Sequence, residues 1–487
     1  MTSERQYKTP LFDALVSLAE SRKVSFHTPG HKSGKGISTR FKKFVGPKIF
    51  SIDLTTLDEV DCLQKPVGVI KEAQELAAEA YGADQSFFLV NGSTVGNHAM
   101  VLATCNPGDE VVVARNAHKS ILTGIILAGA IPYFFMPDWG HDLGIPLNAA
   151  PEQVRPALES HPRAKALVLT SPNYYGVTAD LPRILAEAKE RGMLILVDEA
   201  HGPHLHFHPR LPPSALSAGA DLCVQSTHKI LGGMTQSSML HVKGDRIDLA
   251  RLQGVLQLMQ STSPSYVLMA SLDLARMQMA TEGNKLLEKA IHLAEEARAQ
   301  IKRIGGVSCF GRPEIQAKKG FDLDVTKLTI STRALELTGF QASSFLNSES
   351  DVQVEMADLY NLLVIVSIGD RKDDLSRLVS GLERISLRYG RKKEGPIPVI
   401  FPPSPSPLRL SPREAYFAPY RYVDLKEAVG EISSDIITIY PPGIPLLVPG
   451  EEIQGEIAEY LQVMGSKGAR VDGLRETPSS QIRVVAH

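Results

Sequence analysis

Lys229 follows the short apolar run Leu222–Gln225 in the segment Ser226-Thr227-His228-Lys229-Ile230-Leu231-Gly232-Gly233, and Asp198 closes a second such run thirty-one residues earlier. A lone lysine after a strand is ordinarily a solvated surface charge. Here a hydrophobic strand leads directly into it, and a Gly-Gly pair behind it lets backbone approach closely. Both features suit a buried amine, whose pKa falls on desolvation and which becomes nucleophilic. Asp198, at the tip of Met193–Val197, either caps the following turn or points into a crevice. An amine that condenses with an aldehyde, paired with a carboxylate that keeps a pyridine nitrogen protonated, is what pyridoxal phosphate chemistry requires.

Other residues fit the same reading, each with a plainer alternative. Gly92-Ser93-Thr94 precedes an apolar helix expected to begin near Asn97. Backbone amides at a helix start and two hydroxyls make an anion site, although serine and threonine cap helices everywhere. Ser226 and His228 would complete a phosphate cup with Ser93 and Thr94. His201, three residues past Asp198, can touch a cofactor, orient the aspartate or be structural. His118 can lie flat on a pyridine ring or simply cap a helix.

The whole chain limits the classes of function. Its 487 residues are too many for one core, so two or three domains are expected. With Lys+Arg 52 against Asp+Glu 54, the net charge of -2 gives no case for nucleic acid or an anionic membrane as partner. Cys62, Cys105, Cys223 and Cys309 are scattered and form no CxxC pair. Reduced thiols are therefore expected, with no metal site and no disulfide scaffold. The charged N-terminus lacks the apolar centre of a signal peptide. The apolar stretch 121–135 contains Gly124, Gly129 and Pro132 and is shorter than the roughly 20 residues of a membrane span. The expected location is the cytoplasm.

From about 65 to 245, amphipathic helices alternate with short strands apolar on both faces, the pattern of a parallel sheet covered on both sides. Val69–Ala80 places Ile70, Ala73, Ala77 and Ala80 on one helix face. Strands are expected at 87–90, 110–114, 131–135, 166–169, 193–197 and 222–225. Ligands of such sheets bind beyond the C-terminal strand edges, where the polar residues above lie. Residues 265–305 read as helix and 307–389 as a smaller α+β domain. The proline-rich run 396–412 reads as a linker or strap, Tyr440–Pro445 as a rigid turn, and the tail as disordered. The expected division is an N-terminal arm 1–64, a cofactor-binding large domain 65–306, a small α+β domain 307–395 and a C-terminal α+β domain 396–487.

Together these segments resemble the Orn/Lys/Arg decarboxylases of the aspartate-aminotransferase fold (fold type I). The likeness covers nearly the whole chain. It rests on Phe26-His27-Thr28-Pro29-Gly30-His31-Lys32, Asn91-Gly92-Ser93-Thr94, Arg115-Asn116-Ala117-His118-Lys119-Ser120 and Asp198-Glu199-Ala200-His201-Gly202. It continues through Ser226-Thr227-His228-Lys229, Thr235-Gln236, Thr262-Ser263-Pro264-Ser265-Tyr266, Tyr440-Pro441-Pro442-Gly443-Ile444-Pro445 and Pro449-Gly450-Glu451. The chain is most similar to the shorter members, the bacterial biosynthetic arginine decarboxylases, which lack an N-terminal wing domain.

The resemblance implies an α/β large domain with a mostly parallel seven-stranded sheet. It implies that Lys229 carries pyridoxal phosphate covalently, Asp198 pairs with the pyridine nitrogen, and His118 stacks on the ring. Ser93, Thr94, Ser226 and His228 would hold the phosphate and His201 would sit near the phenolic oxygen. His228 or Lys229 would return a proton to Cα. The implied activity is decarboxylation of a basic amino acid, L-arginine to agmatine in polyamine biosynthesis, with lysine (to cadaverine) or ornithine (to putrescine) as alternatives. The implied assembly is a homodimer or tetramer with the site at the interface, where the Thr262-Ser263 loop and the 27–32 segment serve a neighbouring subunit. Asp53, Asp58, Asp61, Asp138 and Asp435 are the candidates for the substrate's distal cation. An aminotransferase would share Lys229 and Asp198, and a non-catalytic regulator on the same fold is a rival of another class.

Overall fold

The structure, a computed structural model, describes residues 3–21, 23–390, 396–440, 443–475 and 480–486. Among these, no helix is long and apolar enough to cross a membrane. Seven strands form one sheet: β1 (Gln85–Leu89), β2 (Glu110–Ala114), β3 (Ile131–Phe135), β4 (Ala166–Thr170), β5 (Leu194–Asp198), β6 (Leu222–Gln225) and β7 (Ser238–Val242). Their order is β1-β7-β6-β5-β4-β2-β3. β2 runs parallel to β3 and β4, whereas β7 runs antiparallel to both its neighbours. Six of the seven were expected. β7 escapes the sequence reading because Ser238 and His241 interrupt its apolar run, although all five of its residues are buried.

The chain forms two compact units, residues 1–103 with 197–287 and residues 104–196 with 288–487. In the first, α1 (Pro10–Glu20) starts where Asp273 accepts the backbone N–H of Leu11 and Phe12. Arg276, fully buried beside Asp273, donates to the carbonyls of Gln6 and Lys8, so the first residues are pinned to the helix Tyr266–Ile301. α2 (Val69–Tyr81) buries Ile70, Ala73, Leu76, Ala77 and Tyr81 at helical spacing and stops at Gly82 in the left-handed region. α3 (Gly92–Thr104) begins five residues earlier than expected near Asn97. Its glycine start, at φ 72°, lets the chain turn directly from β1 into helix. Gly96 then brings α3 against the sheet: an added Cβ would lie 2.4 Å from Val224 Cγ2 of β6.

In the second unit, α4 (Lys119–Ala128) follows β2. β8 (Ser308–Cys309), β9 (Lys327–Ser331), β10 (Met356–Ala357) and β11 (Asn361–Ile365) form a four-stranded sheet in the order β8-β9-β11-β10. It shares a core with α5 (Gly339–Ser350) and α6 (Lys372–Tyr389), the latter burying Leu375, Leu378, Val379, Leu382 and Ile385. Each such side chain stabilises by about 1.5–3 kcal/mol. Toward the C-terminus, β12 (Tyr420–Asp424), β13 (Ile437–Tyr440), β14 (Ile444–Leu447) and β15 (Arg470–Asp472) precede β16 (Gln481–Val485). β16 corrects the expectation of a disordered tail. It pairs antiparallel with β12 and buries Ile482 and Val484 in a core with Leu447 and Leu461. Two apolar residues at strand spacing among polar ones are enough to dock it. Of the expected turn 440–445, Pro441 and Pro442 lie outside the described residues; Gly443 donates its N–H to Ile439 O at 3.0 Å.

Candidate active site

In the first unit, β5 delivers Asp198 at its C-terminal end with 3% of its surface exposed. Each carboxylate oxygen has a donor. Asn97 Nδ2 donates to Oδ2 at 2.8 Å, and Ala200 N donates to Oδ1 at 3.1 Å. Asn97 stands on α3 among Val95, Ala99, Met100 and Val101, and a polar residue within that apolar helix was the signal the sequence reading passed over. Lys229, half-buried after β6, places Nζ 2.8 Å from Nε2 of the buried His201. The three residues Lys229, Asp198 and His201, singled out from sequence, therefore all sit in this unit. The structure brings the lysine and His201 into direct contact.

Two loops flank this pair, and one turn binds both. Gly92 N donates to Gln236 O at 2.9 Å, while His228 meets the neighbouring Ser237 carbonyl through N at 3.4 Å and Nδ1 at 2.9 Å. Gly233 packs tightly in that turn: a Cβ there would come within 2.4 Å of Ser237 Oγ and 3.1 Å of Thr227 Cγ2. The Ser93-Thr94 start of α3 and the Ser226–Lys229 segment are thus tied to consecutive residues. Ser93 is half-buried and Thr94 is exposed. The hydroxyls of Ser226, Thr227 and Ser238 are buried and have no hydrogen-bond partner among the described residues. A buried unpaired hydroxyl costs about 1–3 kcal/mol, so three of them fit oxygens that a phosphate ester would supply. Thr227 and Ser238 were not singled out from sequence, the latter because β7 itself was missed.

His118 belongs to the second unit. It is exposed and caps α4: its Nδ1 accepts from Ser120 N at 3.2 Å and lies 2.8 Å from Ser120 Oγ. Three residues before it, Arg115 donates through Nη2 to Glu451 Oε2 at 2.8 Å and to Leu446 O at 2.9 Å. Glu451 also accepts from Val448 N at 2.9 Å. Among the acidic candidates for a distal cation, Asp61 is otherwise engaged. Its carboxylate accepts the backbone N–H of Cys62, Val67, Gly68, Ile70 and Lys71 at the head of α2. Asp53 lies 3.0 Å from His31 Nε2, Asp435 3.5 Å from Arg483 Nε, and Asp138 accepts from Trp139 N at 2.9 Å. Asp58 is exposed in a short 3-10 turn.

An amine beside an imidazole, a buried acid held by two donors and a set of buried hydroxyls unpaired among the described residues suit a covalently held cofactor with an anionic tail. Comparison with known proteins gives the class. Residues 9–374 match the Orn/Lys/Arg decarboxylase major domain and residues 405–477 match the C-terminal domain of the same family. The chain belongs to the Orn/Lys/Arg decarboxylase family. It is 41% identical over 482 residues to the arginine decarboxylase of Bacillus subtilis (strain 168), covering 99% of this chain and 98% of that protein. It is 27% identical to the lysine decarboxylase LdcA of Pseudomonas aeruginosa, covering 93% of this chain and 75% of that one. In fold it is similar to the Francisella novicida lysine decarboxylase LdcF, with TM-score 0.86 at 24% identity over 99% of this chain and 82% of that one.

Proposed function

We propose that the protein decarboxylates L-arginine to agmatine with pyridoxal phosphate as cofactor, acting in the cytoplasm as a homodimer or larger homo-oligomer. Similarity over nearly the whole chain to proteins named arginine decarboxylase from Bacillus subtilis, Bacillus anthracis and Halalkalibacterium halodurans supports the substrate. The observation that carries the chemistry is the 2.8 Å contact of Lys229 with His201, in the same unit as a buried Asp198 held by Asn97. The four-part division at residues 64, 306 and 395 is retained as a proposal alongside it.

Pyridoxal phosphate, when bound, supplies an aldehyde for the lysine and a ring that accepts the electron pair left as carbon dioxide departs. Lys229 is the residue that would hold it covalently. Asp198 would face the ring nitrogen, and its two donors fix the carboxylate's orientation without removing its charge. Ser226, Thr227, Ser238, Ser93 and Thr94 would hold the phosphate with backbone amides of α3, and His118 would cover the ring. His201 Nε2, 2.8 Å from Lys229 Nζ, would accept a hydrogen bond from the amine and hold it in position. His228 donates its Nδ1–H to the Ser237 carbonyl; in the neutral ring this makes Nε2 the basic nitrogen. That tautomer suits His228, with Lys229, for moving a proton at the substrate's Cα.

The test is carbon dioxide release from arginine, lysine and ornithine by the purified enzyme supplied with the cofactor. Arginine is expected to lead. Lys229→Ala is expected to abolish turnover and the visible absorbance of the bound cofactor. Turnover that requires a 2-oxo acid would mean an aminotransferase, and retention of both signals in Lys229→Ala would refute the assignment of the lysine.

A further inference from the structure

The residue next to Asp198 is also a carboxylate, and the mechanism above does not use it. Glu199 is fully buried, and three donors converge on it: Ala215 N at 2.7 Å, Gln225 Nε2 at 2.7 Å and Cys223 Sγ at 3.3 Å. From Gln225 a chain of side chains crosses three neighbouring strands. Gln225 Oε1 lies 3.2 Å from His241 Nε2 on β7, and His241 Nδ1 lies 2.7 Å from Ser86 Oγ on β1. Ser86 lines an open surface recess together with Gln74, Asp84 and Gln260. Every link is buried, and the outer end reaches the recess.

We propose that Glu199 is a positioning residue for Asp198 and that Ser86, His241, Gln225 and Glu199 form a reversible hydrogen-bond relay between solvent and the carboxylate next to the cofactor's acid. The relay has two self-consistent settings. With Glu199 ionised, Ser86 O–H donates to His241 Nδ1, His241 Nε2–H donates to Gln225 Oε1, and Gln225 Nε2 donates to the carboxylate. With Glu199 protonated, its O–H donates to Gln225 Oε1 after the amide turns over. Gln225 Nε2 then donates to His241 Nε2, and His241 Nδ1–H donates to Ser86 Oγ. The second setting holds one more proton, taken from solvent and carried on Glu199, and the imidazole stays neutral in both.

The surroundings agree. Burial, against the opposing pull of Gln225, Ala215 and Cys223, pushes Glu199 up to about 7, and the charge of Asp198 adds to the rise. Burial, with His206 nearby, lowers His241 to about 3, so the ring is uncharged at working pH. The other groups facing the relay are Cys223, whose thiol burial raises, and Tyr81, which packs 4.6 Å from the His241 ring. Arg276 acts on Tyr81, and Lys243 acts on His206. An ionised Glu199 disfavours negative charge on Asp198, so a proton shared between Asp198 and a ring nitrogen is held more tightly above neutrality than below it.

The effect on the ring rests on the cofactor proposed above; the relay itself does not. The experiment follows two signals against pH in the enzyme supplied with pyridoxal phosphate: the infrared carbonyl band of a protonated carboxyl, and the visible band of the bound cofactor. Both are expected to titrate together as a single proton with a midpoint near 7. Both transitions should be lost in Glu199→Gln. In Gln225→Leu, where Glu199 remains but the chain is cut, the shared midpoint should shift. If the visible band ignores the carboxyl titration, or if no carboxyl band titrates, the proposal fails. Absence of any visible band would instead overturn the cofactor assignment, and the infrared titration would still decide the relay. If Glu199→Gln does not fold, the Gln225→Leu midpoint serves: an unchanged value refutes the relay.

Discussion

Replacing Glu451 with alanine isolates the segment that carries His118. Arg115 and Glu451 are 4% and 1% exposed and 2.8 Å apart. Taking two ions out of water costs several kcal/mol each, which their attraction and hydrogen bonds must offset. Burial holds Glu451 above the ordinary carboxylate range even though the guanidinium draws it down, so the offset is incomplete. Glu451→Ala removes the attraction but leaves Arg115 buried without a counter-charge, with the Leu446 carbonyl and the Phe134 ring, 4.6 Å from its guanidinium carbon, as remaining partners. The expected loss is about 3–5 kcal/mol. The Val448 N–H, deprived of its acceptor, adds about 1 kcal/mol. Urea unfolding followed by fluorescence reads the right unit, because the single tryptophan is Trp139. The joint replacement Arg115→Met with Glu451→Met should recover most of the loss, since an apolar pair carries no desolvation cost. A loss under about 1 kcal/mol in Glu451→Ala, or no recovery in the double variant, would refute the account.

Asp61→Ala should destabilise by about 1–3 kcal/mol, measured as a shift in urea midpoint, because several amides at the head of α2 lose their acceptor. Burial raises this carboxyl, but the amides of Val67, Cys62, Gly68 and Lys71 outweigh it and hold it below its ordinary value. Its folded pKa is depressed, so its contribution is present above the unfolded pKa and lost as pH falls through the folded one; wild type and Asp61→Ala should converge in acid. Gly96→Val should cost about 1–3 kcal/mol by overpacking α3 against Val224 and Leu89. Because it displaces the helix bearing Asn97, it should also weaken cofactor retention, read by dialysis; full retention would count against that coupling.

The residues with chemistry were legible where a polar group interrupts or ends an apolar run. Asp198 and Ser226 stand at strand ends, and His201, His228 and Lys229 follow within four residues, so the open edge of the sheet announced them. Asn97 and Glu199 were not read as functional, because their roles appear only once neighbouring strands bring Asp198, Gln225 and His241 beside them. β7 was hidden for a related reason: the buried Ser238, and His241, which bonds Ser86 and Gln225, break the hydrophobic pattern that marks a strand. α3 started early because Gly92 supplies a conformation that apolar periodicity does not encode. Asp61, read as a substrate-binding candidate, is held instead by amides six to ten residues further along, a local turn that charge alone does not reveal.

The final strand has a practical bearing on how the protein is handled. Stopping translation after Ser480 would strip Ile482 and Val484 from their neighbours and leave the backbone of Tyr420–Asp424 open along one side. A bare strand side recruits other chains, so such a shortened product should be prone to precipitate.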